Sequence, residues 1–389
     1  MRRDAAVFIV GLAVLCGLCV GVARILPAPG AVPGQRTAAA QADSTSHAAL
    51  AAAGKAKGAS PATPSVAKPW SPGQPQLGID IYWQASPGEA AAVTDGKIRA
   101  ALDYVISEGA NAVSLSFPFF TTGVDSNTIS ADPGKTPTTS QVGLFVREAK
   151  AAGLYVALRP ILDETVLLAQ DSTRWRGTIT PTNLDTWYAN YTSFLLPYAQ
   201  VAQSGHADAL YIGTELSSME AHVQHWHTLV DAVKNAYTGD LAYSINYNEM
   251  PMSQPRVAGT SPAVDAYFPM YGLGDNATVS QLVAGWNSWL DKYPGGDLSG
   301  LTISETGIVA ENGAYQKPFG WQSDHPANSH VQEQWFTAAC QVAQQRHVAG
   351  LYWWYLNLEA PANSSYPMGF QGTNAATVVA HCFSTYPRT

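Results

Sequence analysis

Eight short apolar runs rich in β-forming residues recur along the chain, separated by longer segments with helical periodicity. The runs are "LGIDIYW" (77–83), "NAVSLSF" (111–117), "LYVALRP" (154–160), "ADALYIGTE" (207–215), "LAYSINY" (241–247), "VDAYFPMY" (264–271), "LTISETG" (301–307) and "AGLYWWYL" (349–356). Continuous apolar strands suit a parallel sheet buried on both faces, and parallel neighbours need a crossover that is usually a helix. Segments such as "DGKIRAALDYVISEGA", "QVGLFVREAKAAG" and "SHVQEQWFTAACQVAQQRHV" supply that spacing. Eight such units predict an α/β fold, a (β/α)8 TIM barrel forming a single catalytic domain over residues 73–389. A doubly wound open sheet is the rival, but the Gly-rich dinucleotide turn it often carries is missing after the first run.

The N-terminus follows a different pattern. "MRRDAAVFIVGLAVLCGLCVGVARIL" sets two arginines before a nearly uncharged stretch from Ala5 to Val22. Residues 1–25 are expected to be a signal peptide or an N-terminal membrane anchor. A lipid-modified cysteine is a third option, although neither Cys16 nor Cys19 follows the small-residue pattern it would want. Each option places the remainder outside the cytoplasm, secreted or anchored to the outer face of the cytoplasmic membrane. Residues 26–72 are mostly Ala, Pro, Gly, Ser and Thr, which predicts a disordered linker.

Charge and cysteine content narrow the partners. Net charge over the 389 residues is −8. The first 70 residues hold seven Lys and Arg and two Asp, which leaves about −13 on the rest. Nucleic-acid binding would need the opposite sign of field. Cys340 and Cys382 are the two cysteines outside the leader, and in an oxidising compartment such a pair suits a structural bridge between the last two helices. The domain is expected to be a monomer.

In a barrel of this kind chemistry collects at the C-terminal ends of the strands, where the following loops converge. The polar and aromatic residues there are Tyr82, Trp83, Arg159, Asp163, Glu215, Asn246, Asn248, Tyr267, Tyr271, Glu305, Trp353 and Trp354, with Trp175 after the long loop that follows the third strand. Rings stack on sugar faces, amides and an arginine bond hydroxyls, and carboxylates cleave, so a polysaccharide or oligosaccharide is the expected partner. Glu215 ends the fourth run and Glu305 the seventh, on opposite sides of the barrel mouth. Glycoside hydrolysis needs such a pair: one protonated acid for the leaving oxygen, and one carboxylate that attacks the anomeric carbon or activates water. The bland alternative for either one alone is a neighbour of a helix N-terminus or half of a salt bridge.

In order along the chain, "GANAVSLSFPF", "RWRGTITPTNLDTWYANYTSFLLPYAQVA", "ADALYIGTELSS", "GDLAYSINYNE", "VDAYFPMY", "ISETGI" and "GLYWWYLN" resemble glycoside hydrolase family 113. That family comprises retaining β-mannanases of the large barrel clan with acids on strands four and seven. The resemblance implies that Glu215 is the acid/base and Glu305 the nucleophile, that Tyr267 supplies the hydroxyl holding the nucleophile, and that Asn246 is a binding-site amide. It implies β-1,4-mannan or manno-oligosaccharides as substrate, cleaved by double displacement with no cofactor. Another β-glycan cut by the same mechanism and a non-catalytic carbohydrate-binding barrel are the alternatives. One departure concerns "LRPILDE", where the family usually shows a Lys and a His: Arg159 keeps the charge, but Ile161 replaces the imidazole. The loop "FFTTGVDSNTISADPGKTPTTS" is also long.

Other signals have simpler explanations. His222, His225 and His227 lack the zinc-protease arrangement and are expected on a helix surface or between helices, not on a metal. Trp187, Tyr188 and Tyr191 have helical spacing and read as core. Adjacent strand residues face opposite ways, so of Trp353 and Trp354 one points into the barrel, and Trp354 is the expected sugar platform. The Ser217–Ser218 pair is expected to start the helix after the fourth strand. Glycosylation triplets ("NYT", "NAT", "NSS") carry no weight without a eukaryotic host.

Overall fold

The computed structural model describes residues 65–251, 257–359 and 367–387. The expected leader, residues 26–64 of the expected linker and the "NSS" triplet at 363–365 lie outside the described residues. Eight parallel strands close into a barrel in sequential order, with β1 paired to both β2 and β8. In chain order the elements are β1 (Gln76–Tyr82), α1 (Ala91–Ser107), β2 (Ala112–Phe119), α2 (Thr139–Ala151), β3 (Tyr155–Leu162), the short α3 (Thr165–Gln170) and α4 (Leu184–Gly205). There follow β4 (Ala209–Thr214), α5 (Val223–Lys234), β5 (Asp240–Asn246), β6 (Ser261–Asp265), α6 (Val279–Leu290), β7 (Thr302–Thr306), α7 (Ser329–Arg346), β8 (Gly350–Asn357) and α8 (Asn374–Thr385). The (β/α)8 expectation holds.

The two-residue period of each strand sorts side chains between the barrel interior and the helical shell. Ile79, Ile81, Val113, Leu115, Phe117 and Val156 point outward and join the large core under the helices. The alternate positions fill the barrel in layers. At the N-terminal end of the strands, Ala112, Tyr155, Ala157, Ala209, Tyr211, Ala242, Ala263 and Tyr352 make a separate small-and-large cluster. Gly78 is needed there, because a Cβ would lie 2.2 Å from the Tyr352 ring. Two residues further along the same strands, the interior becomes polar: Asp80, Ser114, Arg159, Ser244 and Asp265 are all buried. The site therefore rests on a packed apolar floor.

Two segments differ from expectation. The sixth strand is Ser261–Asp265 rather than 264–271. Pro262 takes a place in the ladder opposite Tyr243, and the chain leaves the sheet after Asp265, where Tyr267 N–H turns back to the Asp265 carbonyl at 3.2 Å. The second difference is at residues 65–72, which pack instead of belonging wholly to a linker. Val66 N–H bonds the Ala152 carbonyl at 2.9 Å, and the Trp70 ring meets Tyr155 edge-on at 4.8 Å beneath the barrel floor. Two apolar groups among small residues suffice because the open end of the barrel offers apolar surface to cover.

On the outside, Trp187, Tyr188 and Tyr191 of α4 are buried, and the Tyr191 hydroxyl bonds the Ile212 carbonyl of β4 at 3.0 Å. His225 of α5 stacks on Tyr188 and lies 2.8 Å from Asp185, an interhelical place. The Cys340–Cys382 disulfide ties α7 to α8 (S–S 2.08 Å).

Candidate active site

Arg159, inward-facing on β3 and wholly buried, organises the centre. Its Nη2 donates to both oxygens of Asp265, at 2.8 and 2.6 Å, its Nη1 pairs with Oε1 of Glu305, and its Nε donates to Thr214 Oγ1 at 3.3 Å. Asp265 also accepts from Ser244 at 2.8 Å and Ser304 at 3.0 Å. A buried guanidinium persists where its charge is met by well-placed carboxylates. A register shift between β6 and β7 sets Asp265 opposite Glu305, and both Ser304 and Glu305 reach the interior groups. The second oxygen of Glu305 accepts from the Tyr267 hydroxyl at 2.7 Å. Burial pushes Glu305 up to about 7 against the pull of Arg159, with Asp265 adding to the rise and the Tyr267 hydrogen bond opposing it. Burial and the Glu305 charge hold the Tyr267 hydroxyl well above its ordinary range, so it stays a donor. Asp80 on β1 is held well above the carboxylate range by burial, with Arg159 opposing and the Glu305 charge adding to the rise.

Glu215 stands one residue past β4, with a left-handed backbone (φ 53°) and its N–H bonded to the Ser244 carbonyl at 2.8 Å. A non-glycine residue in that region costs on the order of 1–3 kcal/mol and is found where function aims a side chain. Arg176 holds the carboxylate, with Nη1 at 3.1 Å from Oε2, while its Nε sits 3.0 Å from Glu164, the residue just before α3. Arg176 opens a 3-10 turn, Arg176–Thr178, in the "WRG" stretch. Burial raises Glu215 well above the usual carboxylate range, Asp265 and Glu305 add to it, and Arg176 opposes. Two carboxylates thus occupy one buried mouth: Glu305 with a donor on each oxygen, and Glu215 in a field that favours its protonated form.

Asp265, Arg176, Glu164 and Asp80 escaped the sequence reading. Asp265 was hidden by the misplaced strand: read over 264–271, it falls near the beginning, whereas it is the last residue of β6. Arg176 lies in "WRG", and its charge beside two aromatic-rich segments is the signal the sequence offers. The Ser pair opens a 3-10 turn, Ser217–Met219, instead of starting α5, because Ser218 spends its hydroxyl on the Ile179 carbonyl at 2.6 Å.

The remaining expected residues divide by the strand period. Tyr82 faces the site, its hydroxyl accepting from Gln84 and its ring 5.9 Å from Trp354. Trp354 is half-buried and packs on the Tyr267–Val309–Met368 patch, joined to Tyr355 by a cis peptide. Trp353 faces away, has no exposed surface and stacks on Phe336 of α7 at 4.5 Å. Trp83 is likewise enclosed, its indole donating to Glu359 at 2.9 Å. Neither enclosed ring can meet a sugar here. Asp163 accepts from Thr165 N–H at the start of α3. Trp175 lies half-buried over Gly177, where a Cβ would come 2.3 Å from its ring. Asn246, nearly buried at the end of β5, accepts from Tyr247 N–H at 2.8 Å.

Comparison with known proteins identifies the family and supports the barrel fold. The family model described as Glycoside Hydrolase Family 113 matches residues 83–368. Among solved structures, a GH113 β-1,4-mannanase complex superposes with a TM-score of 0.66 at 16% identity, covering 80% of this chain and 99% of that one. The GH113 β-mannanase AaManA from Alicyclobacillus acidocaldarius, in complex with ManMIm, gives 0.65 at 18% identity, covering 81% and 98%. A β-glucuronidase from Ruminococcus gnavus gives 0.52 at 11% identity, covering 79% of this chain and 49% of that one. No curated protein matches the sequence. With an eight-stranded barrel, two carboxylates at the mouth and a family match over most of its length, the chain belongs to glycoside hydrolase family 113 and is a glycoside hydrolase.

Proposed function

We propose that the protein cleaves β-1,4-mannan or manno-oligosaccharides with retention, Glu305 acting as nucleophile and Glu215 as acid/base. The observation that carries this reading is the unequal treatment of the two acids. Glu305 receives Arg159 and Tyr267 on its separate oxygens, which favours its ionised form, whereas Glu215 is buried in the field of Asp265 and Glu305. In the first step a Glu305 oxygen bonds the anomeric carbon as the glycosidic bond breaks, and Glu215 gives its proton to the departing oxygen. Forming the ester removes the Glu305 charge, one of those that raise Glu215. Glu215 then takes a proton from water, the water oxygen bonds the anomeric carbon, and the ester bond breaks to free Glu305. Arg159 keeps a partner throughout, because both oxygens of Asp265 accept from its Nη2 while Glu305 is esterified.

A second reading, the same mechanism on another β-glycan, is favoured by the third strand. Arg159 is spent on Asp265 and Glu305, and Ile161 is buried and apolar. A panel of β-mannan, β-glucan and β-xylan with reducing-sugar readout separates the two. Trapping with a 2-fluoro-mannoside of good leaving group, followed by mapping of the labelled peptide, tests the mechanism. The label is expected on Glu305, and a label elsewhere overturns the assignment.

We further infer that the chain works outside the cytoplasm as a monomer, secreted or tethered by its N-terminal segment. The apolar run at residues 5–22 and the Cys340–Cys382 bridge support that location, and the acidic balance disfavours nucleic acid. Cell fractionation with N-terminal sequencing tests it.

A further inference from the structure

Large apolar side chains left in water at the rim of a binding site ask for an explanation. Among the described residues, the strongly exposed aromatic side chains are Tyr271 (79%), Phe319 (43%) and Trp321 (58%). All three lie on the loops that follow β6 and β7, at the catalytic end of the barrel.

They are not on slack chain. Gln316 Nε2 donates to the Leu273 carbonyl at 2.6 Å, Met270 N–H to the Tyr315 carbonyl at 2.8 Å, and Gly313 N–H to Asp275 at 2.6 Å, which staples the two loops together. On the far side, nearly buried Glu311 accepts with one oxygen from Ser323 Oγ, Asp324 N–H and His325 N–H, at 2.8 to 3.0 Å. Phe319 and Trp321 sit between these two anchorages. Of the exposed rings, Phe319 is also connected to the cleavage site. Tyr267, which bonds Glu305, belongs to the apolar patch on which Tyr247 packs, and the Tyr247 ring lies parallel to Phe319, 6.1 Å away at 5°. Tyr247 is itself fixed, its carbonyl accepting from Trp289 Nε1 at 3.0 Å.

We propose that Tyr247, Phe319 and Trp321 form a pre-positioned aromatic platform that carries a β-linked glycan chain outward from the cleavage site across the β5–β7 side of the mouth. It makes the enzyme prefer polymer over short oligosaccharide. The apolar C–H faces of pyranose rings fit flat, fixed aromatic surfaces, and rings ordered before binding cost little to order in the complex. The platform rests on the glycan-cleaving reading above, and the test separates the two.

The Phe319→Ala/Trp321→Ala double variant is compared with wild type in two measurements. In native gels cast with soluble β-mannan, β-glucan or β-xylan, wild type is expected to be retarded by at least one polymer and the double variant much less so. In hydrolysis, the ratio of kcat/KM on that polymer to kcat/KM on a disaccharide aryl glycoside is expected to fall about tenfold, at roughly two- to tenfold per ring. Equal retardation of the two proteins, no retardation of wild type by any of the three polymers, or an equal loss on long and short substrates overturns the platform. Ring-dependent retardation without hydrolysis of any polymer by wild type leaves the platform standing and overturns the proposed activity.

Discussion

Tyr267 shows how much one hydroxyl can decide. Its hydrogen bond and the Arg159 ion pair work against the burial that pushes Glu305 up to about 7. On the proposed mechanism Glu305 attacks in its ionised form, so kcat/KM is expected to fall as pH drops through that region, with a limb at higher pH from loss of the Glu215 proton. Removing a donor to the carboxylate raises its pKa further. Tyr267→Phe is therefore expected to move the acid limb upward and to lower kcat/KM at pH 6 by roughly tenfold or more, a hydrogen bond to a charged group being worth about 1.5–3 kcal/mol. A pH profile of kcat/KM on an aryl glycoside checks this, and an acid limb left in place would show that the hydroxyl does not tune Glu305. Asp265, behind Arg159, was illegible as a functional residue in the sequence because its importance comes from three neighbours on β3, β5 and β7 and from no local pattern.

At the scale of elements, the eight strands were legible because apolar runs of strand length with helical spacers have few other solutions. Which residues face inward was legible only where the two-residue period holds. The period breaks at the catalytic ends: the ladders shift register between Tyr211 and Thr214 on β4, between Ile303 and Thr306 on β7, and on β8 where β1 steps from Ile79 to Ile81. Such irregularities re-aim side chains at a barrel rim, so strand phase alone could not foretell the aim of Glu215 or Glu305. Where the phase is regular, as at Ile79 and Ile81, Trp83 follows it outward and away from the site. The glycine of "ETG" belongs to the same irregular rim. A Cβ on Gly307 would lie 2.6 Å from the Trp354 carbonyl and 3.4 Å from its Cβ. Gly307→Ala must displace β8 backbone, and is expected to cost about 1–3 kcal/mol and to raise KM by shifting the Trp354 ring. Thermal unfolding with steady-state kinetics reads both, and a variant with unchanged stability and KM would show that the approach relaxes freely.

For the molecule as a whole, composition marked residues 26–72 as one low-complexity stretch and so missed that its last residues are part of the fold, since two apolar side chains scarcely alter an average. The other end of the chain is secured covalently. Cys340 and Cys382 are 42 residues apart, and cross-linking a loop of that length is worth about 4 kcal/mol in the chain-entropy account. For a domain of this size that corresponds to a Tm lower by about 5 °C or more after reduction, measurable by differential scanning calorimetry with and without a phosphine reductant. An unchanged Tm would mean that the bridge adds no stability. The strap that begins at Val66 settles an orientation. Val66 bonds the end of α2 and Trp70 covers the beginning of β3, both at the pole of the barrel opposite Glu215 and Glu305. The polypeptide thus enters the folded domain from behind. The strap therefore leaves the mouth that holds Glu215 and Glu305 uncovered, and a long polymer can lie across that mouth without meeting residues 65–72.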